Sequence, residues 1–161
     1  MGSVPYFLLF FAFVIAFASW RGGAPERLTA VAYVIALAGS ASVGVIEMPG
    51  AFRTVPMLIL AVDCLLLLAL CLLAVRANRW WPIMTAACAL VAVLVHAAKL
   101  LDTAMIPNGY AFLVTIWSWP MVALLAIGTW AHRRRLAEGR FVPDWKPFSQ
   151  RSGRTIRRIA Q

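Results

Sequence analysis

Ionisable side chains inside two long apolar runs are the residues of this sequence that could do chemistry. Asp63 lies nine residues into a run that begins at Thr54, and His96 and Lys99 lie near the far end of the next run. His96 and Lys99 are three residues apart, so they share one face of a helix. Ionisable groups are energetically expensive in hydrocarbon and are usually retained for a function. The three are therefore candidates for a ligand or proton-relay site.

The depth of these residues can be estimated from the short basic turn, residues 76–79, that separates the two runs. At about 1.5 Å per residue, an antiparallel hairpin places Asp63 level with Ala92 and His96 about one turn further from the turn. We expect Asp63 to face inward, toward His96 and Lys99. Hydroxyl side chains of two other predicted helices fall at similar depths: Ser40, Thr115 and Ser118. The sequence thus predicts a polar pocket in the half of the protein away from the basic turn.

Each candidate also has a purely structural interpretation. Asp63 is equally consistent with a neutral or paired acid that ties its helix to a neighbour, and His96 with a hydrogen-bonded packing residue. Lys99 is expected to extend to the headgroups or to pair with Asp102. The sequence has no metal-ligand spacing and predicts no metal or other cofactor. The alternative is a flat macrocycle held by His96, because Ala92, four residues earlier, leaves room beside it.

Composition indicates the class of protein. Of the 161 residues, 63% are hydrophobic, against about 45–50% in a soluble domain. The apolar runs are continuous and long enough to cross a bilayer, and they lack the alternation of barrel strands. We therefore predict an all-α integral membrane bundle of five transmembrane helices within residues 1–131. The predicted spans are about 3–20, 27–46, 54–75, 80–101 and 109–131, followed by a basic, aromatic-containing tail, 132–161.

Local features refine these spans. Ala16-Phe17-Ala18 is also typical of a signal-peptide cleavage site, but no Lys or Arg precedes it, which favours an uncleaved first span. Pro120 predicts a kink between Ile116 and Pro120. Small residues spaced four apart in the second span predict a close packing face. They are Ala32, Ala36, Ser40 and Gly44.

The charges predict orientation. The chain has 15 Lys and Arg against 6 Asp and Glu, a net charge of +9. With five spans, all of the basic residues except Arg53 and Lys99 lie on one side, which predicts a periplasmic N-terminus and a cytoplasmic C-terminus. Topology and attraction to anionic lipid explain the charge, so no nucleic-acid partner is predicted. The tail is expected to contact anionic lipid or a partner, or to be solvated. Its candidate contact residues are Arg133, Arg134, Arg135, Trp145, Arg151, Arg157 and Arg158.

Several motifs of residues 20–135 resemble a group of small multi-span bacterial inner-membrane proteins. The motifs are Trp20-Arg21-Gly22-Gly23-Ala24-Pro25-Glu26-Arg27, Arg79-Trp80-Trp81-Pro82, His96-Ala97-Ala98-Lys99, Trp117-Ser118-Trp119-Pro120-Met121 and Gly128-Thr129-Trp130-Ala131-His132-Arg133-Arg134-Arg135. The resemblance implies a bacterial inner membrane. It leaves the tail uncovered and transfers no activity or site residue.

The absence of a phosphate loop, a zinc motif or a nucleophile elbow in the sequence favours a protein that is not an enzyme. The leading hypothesis is a non-catalytic structural or accessory subunit of a larger membrane assembly, bound to other subunits or to copies of itself. The alternative is a small transporter or proton-coupled binding protein that uses Asp63, His96 and Lys99. A third hypothesis is a pigment- or haem-binding subunit that uses His96.

Overall fold

The chain forms helices along its apolar runs. The computed structural model describes residues 3–46, 57–102, 106–140 and 143–146. Within these ranges the helices are α1 (Ser3–Arg21), α2 (Ala24–Ile46), α3 (Met57–Arg76), α4 (Trp81–Leu101), α5 (Pro107–Ile116) and α6 (Ser118–Ala137). The described residues contain no strand, only a single β-bridge between Ala77 and Trp145. The predicted all-α class is confirmed.

Among the described residues, four helical segments are long and apolar enough to cross a membrane: Val4–Arg21, Met57–Arg76, Trp81–Leu101 and Gly109–Ala137. The last segment comprises α5 and α6. Helix α2 is 23 residues long and is not in this set. The described helices are therefore compatible with four crossings of a membrane, and the fifth crossing stays a prediction.

The predicted kink in the last segment is confirmed as a break between α5 and α6. Helix α5 ends at Ile116, Trp117 forms a turn, and α6 begins at Ser118. Pro120 has no N–H to donate to the carbonyl of Ile116, so the helical hydrogen-bond ladder is interrupted there. Helix α6 continues to Ala137, beyond the predicted end of the span near residue 131. Arg133, Arg134 and Arg135 therefore belong to a helix and not to a tail.

The distribution of apolar residues matches a protein dissolved in hydrocarbon. Leu9, Phe13 and Leu65 are each about two-thirds exposed or more, whereas the threonines Thr29 and Thr129 are fully buried. Each of these two hydroxyls donates a 2.9 Å hydrogen bond to a carbonyl oxygen four residues earlier in its own helix. The helices therefore bury their polar groups and leave their apolar faces outside, as the bilayer requires.

The helices pack so that the bundle has two different ends. Helix α3 packs against α4 and α2, and α1 packs against α6. At one end of the bundle α1, α3 and α5 begin and α2 and α4 end. We call this end the Asp63 end. The Arg79 end holds the two short turns, α1–α2 and α3–α4, and the end of α6. In the core between them, Trp81 is 1% exposed and lies against Gly128.

We expect Gly128→Ala to destabilise the protein. A Cβ at Gly128 would lie 2.7 Å from Cε2 and Nε1 of the buried Trp81 ring, which has no room to retreat. Overpacking of this kind lowers the free energy of unfolding by about 1–3 kcal/mol. Thermal unfolding in detergent measures it. Gly109→Ala is the control, because nothing lies within 4 Å of the added Cβ. Equal stability of the two variants would contradict this packing.

Candidate functional site

Three side chains from three helices form a hydrogen-bonded line at the Asp63 end. His96 Nε2 lies 2.8 Å from Asp63 Oδ2, and His96 Nδ1 lies 2.5 Å from the Tyr110 hydroxyl. His96 and Tyr110 are fully buried, whereas the Asp63 side chain is 20% exposed. The predicted contact between Asp63 and His96 is therefore present, and Tyr110 extends it to a third helix.

The arrangement follows from the lengths of the helices. Only four residues, 77–80, separate α3 from α4, so the two helices run antiparallel. Asp63, near the start of α3, therefore contacts His96, near the end of α4. Tyr110 is in the first turn of α5, which Pro107 opens. Pro at the first helical position is favourable because the N–H that it lacks has no partner there. The result is one polar contact from each of α3, α4 and α5.

The hydrogen bonds define the two protonation states that this line supports. With neutral His96, Nε2–H donates to the Asp63 carboxylate and Nδ1 accepts from the Tyr110 hydroxyl. With protonated His96, both ring nitrogens donate, and the Tyr110 oxygen accepts instead. Asp63 stays an acceptor in both states. The same geometry therefore holds His96 with or without its second proton, which is the property that a proton relay requires.

A cavity of about 370 Å³ lies beside this line, between the helices of the Asp63 end. Its walls are mostly apolar and come from all six helices. The Asp63 carboxylate reaches it, while His96 and Tyr110 lie outside its lining. The other lining side chains with polar atoms are Tyr33, Ser40, Thr115, Trp117 and Ser118. Four of the predicted site residues (Asp63, Ser40, Thr115 and Ser118) therefore surround one space.

The break between α5 and α6 shapes this cavity. It places Thr115, Trp117 and Ser118 on one wall. Across the cavity, the buried Tyr33 hydroxyl donates a 3.1 Å hydrogen bond to the carbonyl oxygen of Met121. This bond joins α2 to the start of α6, so the break is held in place by the opposite wall. The polar lining thus depends on Pro120 as well as on the hydroxyl residues themselves.

Two predictions about this end need correction. Lys99 is only 3% exposed, because its side chain is packed against protein. The side chain therefore does not extend to the headgroups. Macrocycle ligation by His96 also conflicts with the geometry, since both ring nitrogens already have partners. An axial ligand needs one nitrogen free for the iron. Among the described residues, no three His, Cys, Asp or Glu side chains converge on a metal site.

Sequence reasoning did not identify Tyr110 as a site residue. In the predicted topology, Tyr110 is only a residue at the start of the fifth span. The available signal was its depth, because the first turn of the last segment lies at the same end as His96. Depth alone does not tell which face of the helix turns inward, so the contact could not be derived.

A second polar cluster, at the Arg79 end, was also missed. The Arg79 guanidinium is buried, and its Nη2 donates to Asp144 Oδ1 at 2.6 Å and to His132 Nδ1 at 2.9 Å. Because arginine only donates, His132 Nδ1 accepts and therefore carries no proton. Glu26 Oε1 lies 3.8 Å from Arg79 Nε, within ion-pair range but beyond hydrogen-bonding distance. Arg79 is thus the cation that two acids and a histidine surround.

Asp144 attaches the segment after α6 to the bundle. Its Oδ2 accepts a 3.1 Å hydrogen bond from the N–H of Ala24, at the start of α2. Burial alone raises the pKa of the Asp144 carboxyl, but the hydrogen bonds from Ala24 and Arg79 outweigh burial and hold the pKa below its ordinary value of 3.8. Asp144 is therefore ionised at neutral pH, and its contribution to stability is lost only in acid, as the pH falls through that lowered value.

Backbone contacts complete the attachment of residues 143–146. Asn78 N–H donates to the Asp144 carbonyl at 3.1 Å, and Lys146 N–H donates to the Arg76 carbonyl at 2.9 Å. Gly23 is needed beside them, because a Cβ there would lie 2.9 Å from Asp144 Oδ1 and 3.0 Å from His132 Cε1. This part of the predicted tail is therefore docked on the two turns of the Arg79 end.

The remaining tail candidates lie on α6, beside the β-bridge or outside the described residues. Arg133 and Arg134 are exposed on α6, Arg134 pairs with Glu138 at 2.9 Å, and Arg135 is half-buried. Trp145 is 39% exposed beside its bridge to Ala77. Arg151, Arg157 and Arg158 lie outside the described residues.

Comparison of the chain with protein-family models, with curated proteins and with solved structures finds no match. The function is therefore argued from the geometry of the two clusters and the cavity. A space of about 560 Å³ also adjoins Asp144 at the Arg79 end, but it is more open and is lined by the α1–α2 turn and the start of α2. The cavity beside Asp63 is more enclosed, with walls from all six helices.

We expect Arg79→Gln to destabilise the protein strongly, since it leaves the buried Glu26 and the half-buried Asp144 without their cation. Removing one partner of a buried ion pair lowers the free energy of unfolding by about 3–5 kcal/mol. Arg76→Gln is the matched control, because Arg76 ends the preceding helix and is exposed. Thermal unfolding of both variants checks this, and an equal loss in each would contradict the role of Arg79.

Proposed function

We propose that this is a membrane protein that binds a small, mostly apolar ligand in the cavity of the Asp63 end, coupled to protonation of the Asp63–His96–Tyr110 line. It belongs with small transporters and proton-coupled binding proteins and is not an enzyme. One observation carries the proposal: the Asp63 carboxylate lines the cavity and, at 2.8 Å, also accepts from His96. A ligand that contacts Asp63 therefore acts on the protonation of His96.

The cavity supports this proposal by its size and its lining. Ligand sites in proteins are concave, mostly apolar and about 300–1,000 Å³ in volume, with a few polar groups that fix orientation. The cavity here, at about 370 Å³, has that character, with Asp63 and hydroxyls such as Ser40 and Ser118 as its polar groups. An acid inside a membrane bundle is a functional candidate by default.

The accessory-subunit hypothesis gains less support from the same structure. It was based on the lack of a catalytic constellation, on the basic tail and on the small-residue face of α2, which was predicted to receive a neighbouring helix. Ala36 and Ser40 of that face line the cavity instead. The close approach of α2 to a neighbour occurs at Gly39, where a Cβ would lie 3.1 Å from Val62 of α3. The small residues of α2 are thus used within the chain.

We also propose five crossings, with α2 as the second, in a bacterial inner membrane. Crossing by α2 is supported by its length of 23 residues and by its packing between α1 and α3. The basic side chains of the Arg79 end, including the exposed Arg133 and Arg134, support a cytoplasmic location for that end. They also favour contact with anionic lipid there.

Filling the cavity should abolish ligand binding. The probe is 1-naphthalenemethanol, an uncharged apolar molecule with one hydroxyl, measured by equilibrium dialysis against the protein in lipid nanodiscs. Ala36→Phe projects a ring into the cavity and should weaken saturable binding by about tenfold or more, since buried apolar contacts are lost. Ala38→Phe is the matched control, because Ala38 is exposed on the same helix.

Two outcomes of this measurement count against the proposed function. One is the absence of saturable binding by the wild-type protein above that of empty nanodiscs. The other is equal binding by Ala36→Phe and Ala38→Phe, which would place the probe elsewhere than in the cavity.

Reporter fusions test the topology. With five crossings, alkaline phosphatase fused after Asp102 should be periplasmic and active, whereas the same enzyme fused after Gln161 should be cytoplasmic and inactive. Green fluorescent protein at the same two positions should give the opposite pattern. Active phosphatase at the C-terminus would show that the basic end faces the periplasm and would exclude the proposed orientation.

A further inference from the structure

We infer that the ligand of the cavity is an organic cation with an apolar body, and that its binding displaces the second proton of His96. The inference rests on the proposed function of the cavity and names its substrate class. Three observations support it: the charge of the residue that lines the cavity, the charges at the Asp63 end and the hydrogen bonds of His96.

The charged lining of the cavity has one sign. Among the described residues that line the cavity, Asp63 is the one acid, and none is Lys, Arg or His. The hydroxyls of Ser40 and Ser118 can accept hydrogen bonds from an ammonium group as well as donate them. A carboxylate in an apolar environment binds a cation strongly and repels an anion.

The apolar part of the wall favours an organic cation over a metal ion. Phe7, Phe11 and Trp117 line the cavity, and aromatic faces attract cations that carry hydrocarbon groups. A small inorganic cation instead needs several oxygens within about 2.6 Å. One carboxylate and scattered hydroxyls around about 370 Å³ do not provide such a shell.

The positions of the charges at the Asp63 end explain why a proton must leave. Among the described residues this end carries Asp63 of α3 and Lys99 of α4, together with His96, whereas Asp102 after α4 is exposed. His96 lies 2.8 Å from the Asp63 carboxylate, so a cation that binds beside the same carboxylate repels a proton on the imidazole. The other titratable group that contacts His96 is Tyr110, and Tyr33 of α2 lines the cavity. The parts of α1 and α6 at this end contribute no charged side chain.

Two positive charges close together repel strongly in a low-dielectric interior. Without ligand, the Asp63 carboxylate pairs with a protonated His96, and with a bound cation it pairs with that cation while the imidazole is neutral. The two positive charges therefore compete, although they occupy different atoms. The cation lies in the cavity beside Asp63, whereas the proton is on the imidazole behind it.

The hydrogen bonds identify the proton that leaves. Nε2–H continues to donate to Asp63 in both states, so the proton is lost from Nδ1. The Tyr110 hydroxyl, 2.5 Å away, accepts from Nδ1–H before the exchange and donates to Nδ1 after that proton has been released to the solvent. The exchange balances as one cation bound and one proton released, and Tyr110 ends in its original state.

The experiment compares two probes of the same shape on wild-type protein in nanodiscs. The probes are 1-naphthylmethylammonium and the uncharged 1-naphthalenemethanol. At about pH 8 the ammonium should bind at least tenfold more tightly, as expected for a charge-assisted hydrogen bond to a carboxylate. Its affinity should fall as the pH is lowered from about 8 to about 6, because one proton competes with the ammonium. The affinity of the alcohol should not change.

Calorimetry in buffers of different ionisation enthalpy gives the number of protons released, and this measurement needs no variant. We expect up to one proton per ammonium bound and none for the alcohol. Asp63→Asn should remove the preference for the ammonium, whereas Glu138→Gln, an exposed acid at the Arg79 end, should preserve it. His96→Gln should retain ammonium binding but lose its pH dependence.

The possible failures are distinguishable. If the alcohol binds in the cavity but the ammonium binds no better, or without proton release, the substrate class is wrong and the cavity remains a binding site. If an excess of sodium displaces the ammonium, the site is for an inorganic cation and the inference is overturned. If neither probe binds, the proposed function itself fails.

Discussion

The hydrogen bond between Asp63 and His96 is the interaction on which the Asp63 end depends. An isolated carboxylate in the hydrocarbon layer would be strongly disfavoured, and the 2.8 Å contact with His96 gives it a donor. Satisfying that acid requires α3 and α4 to be antiparallel and in one register. Tyr110 then satisfies the second nitrogen of His96, so α5 is drawn to the same point. One buried acid thus fixes the relation of three helices.

The two ends of the bundle use buried charge differently. At the Arg79 end, two acids and a histidine surround one guanidinium, and the space that adjoins Asp144 is more open than the cavity of the Asp63 end. That cluster joins the α1–α2 turn, the α3–α4 turn, α6 and residues 143–146, so it acts as a structural clamp. At the Asp63 end the acid also faces a cavity. The same type of polar group is therefore structural at one end and available to a ligand at the other.

Much of the fold could be predicted because hydrocarbon constrains sequence strongly. Continuous apolar runs gave the helices, Pro120 gave the break in the last segment, and the scarcity of intramembrane charge singled out Asp63 and His96. Their contact could be anticipated because both residues are on adjacent helices of a hairpin with a short turn. Hairpin register is fixed by turn length, so the relative positions of two residues on its helices follow from counting residues.

Other features could not be predicted because they depend on rotation and on distant pairing. Whether Tyr110 faces His96 depends on the rotation of α5, which periodicity does not give for a helix that is apolar on all sides. Arg79 and Asp144 are far apart in the sequence, and both were assigned to connections between or after the spans. Arg133, Arg134 and Arg135 were assigned to the tail because their charge suggested the membrane edge, whereas α6 continues through them.

The most direct test of this account is the ¹⁵N NMR spectrum of the imidazole rings in bilayers. The chain has only two histidines, so a His132→Asn variant assigns the signals of His96. If His96 bonds to Asp63 through one nitrogen and to Tyr110 through the other, Asp63→Asn should shift the Nε2 signal, and Tyr110→Phe should shift the Nδ1 signal. A His96 spectrum that neither substitution changes would contradict the central contact and the proton relay built on it.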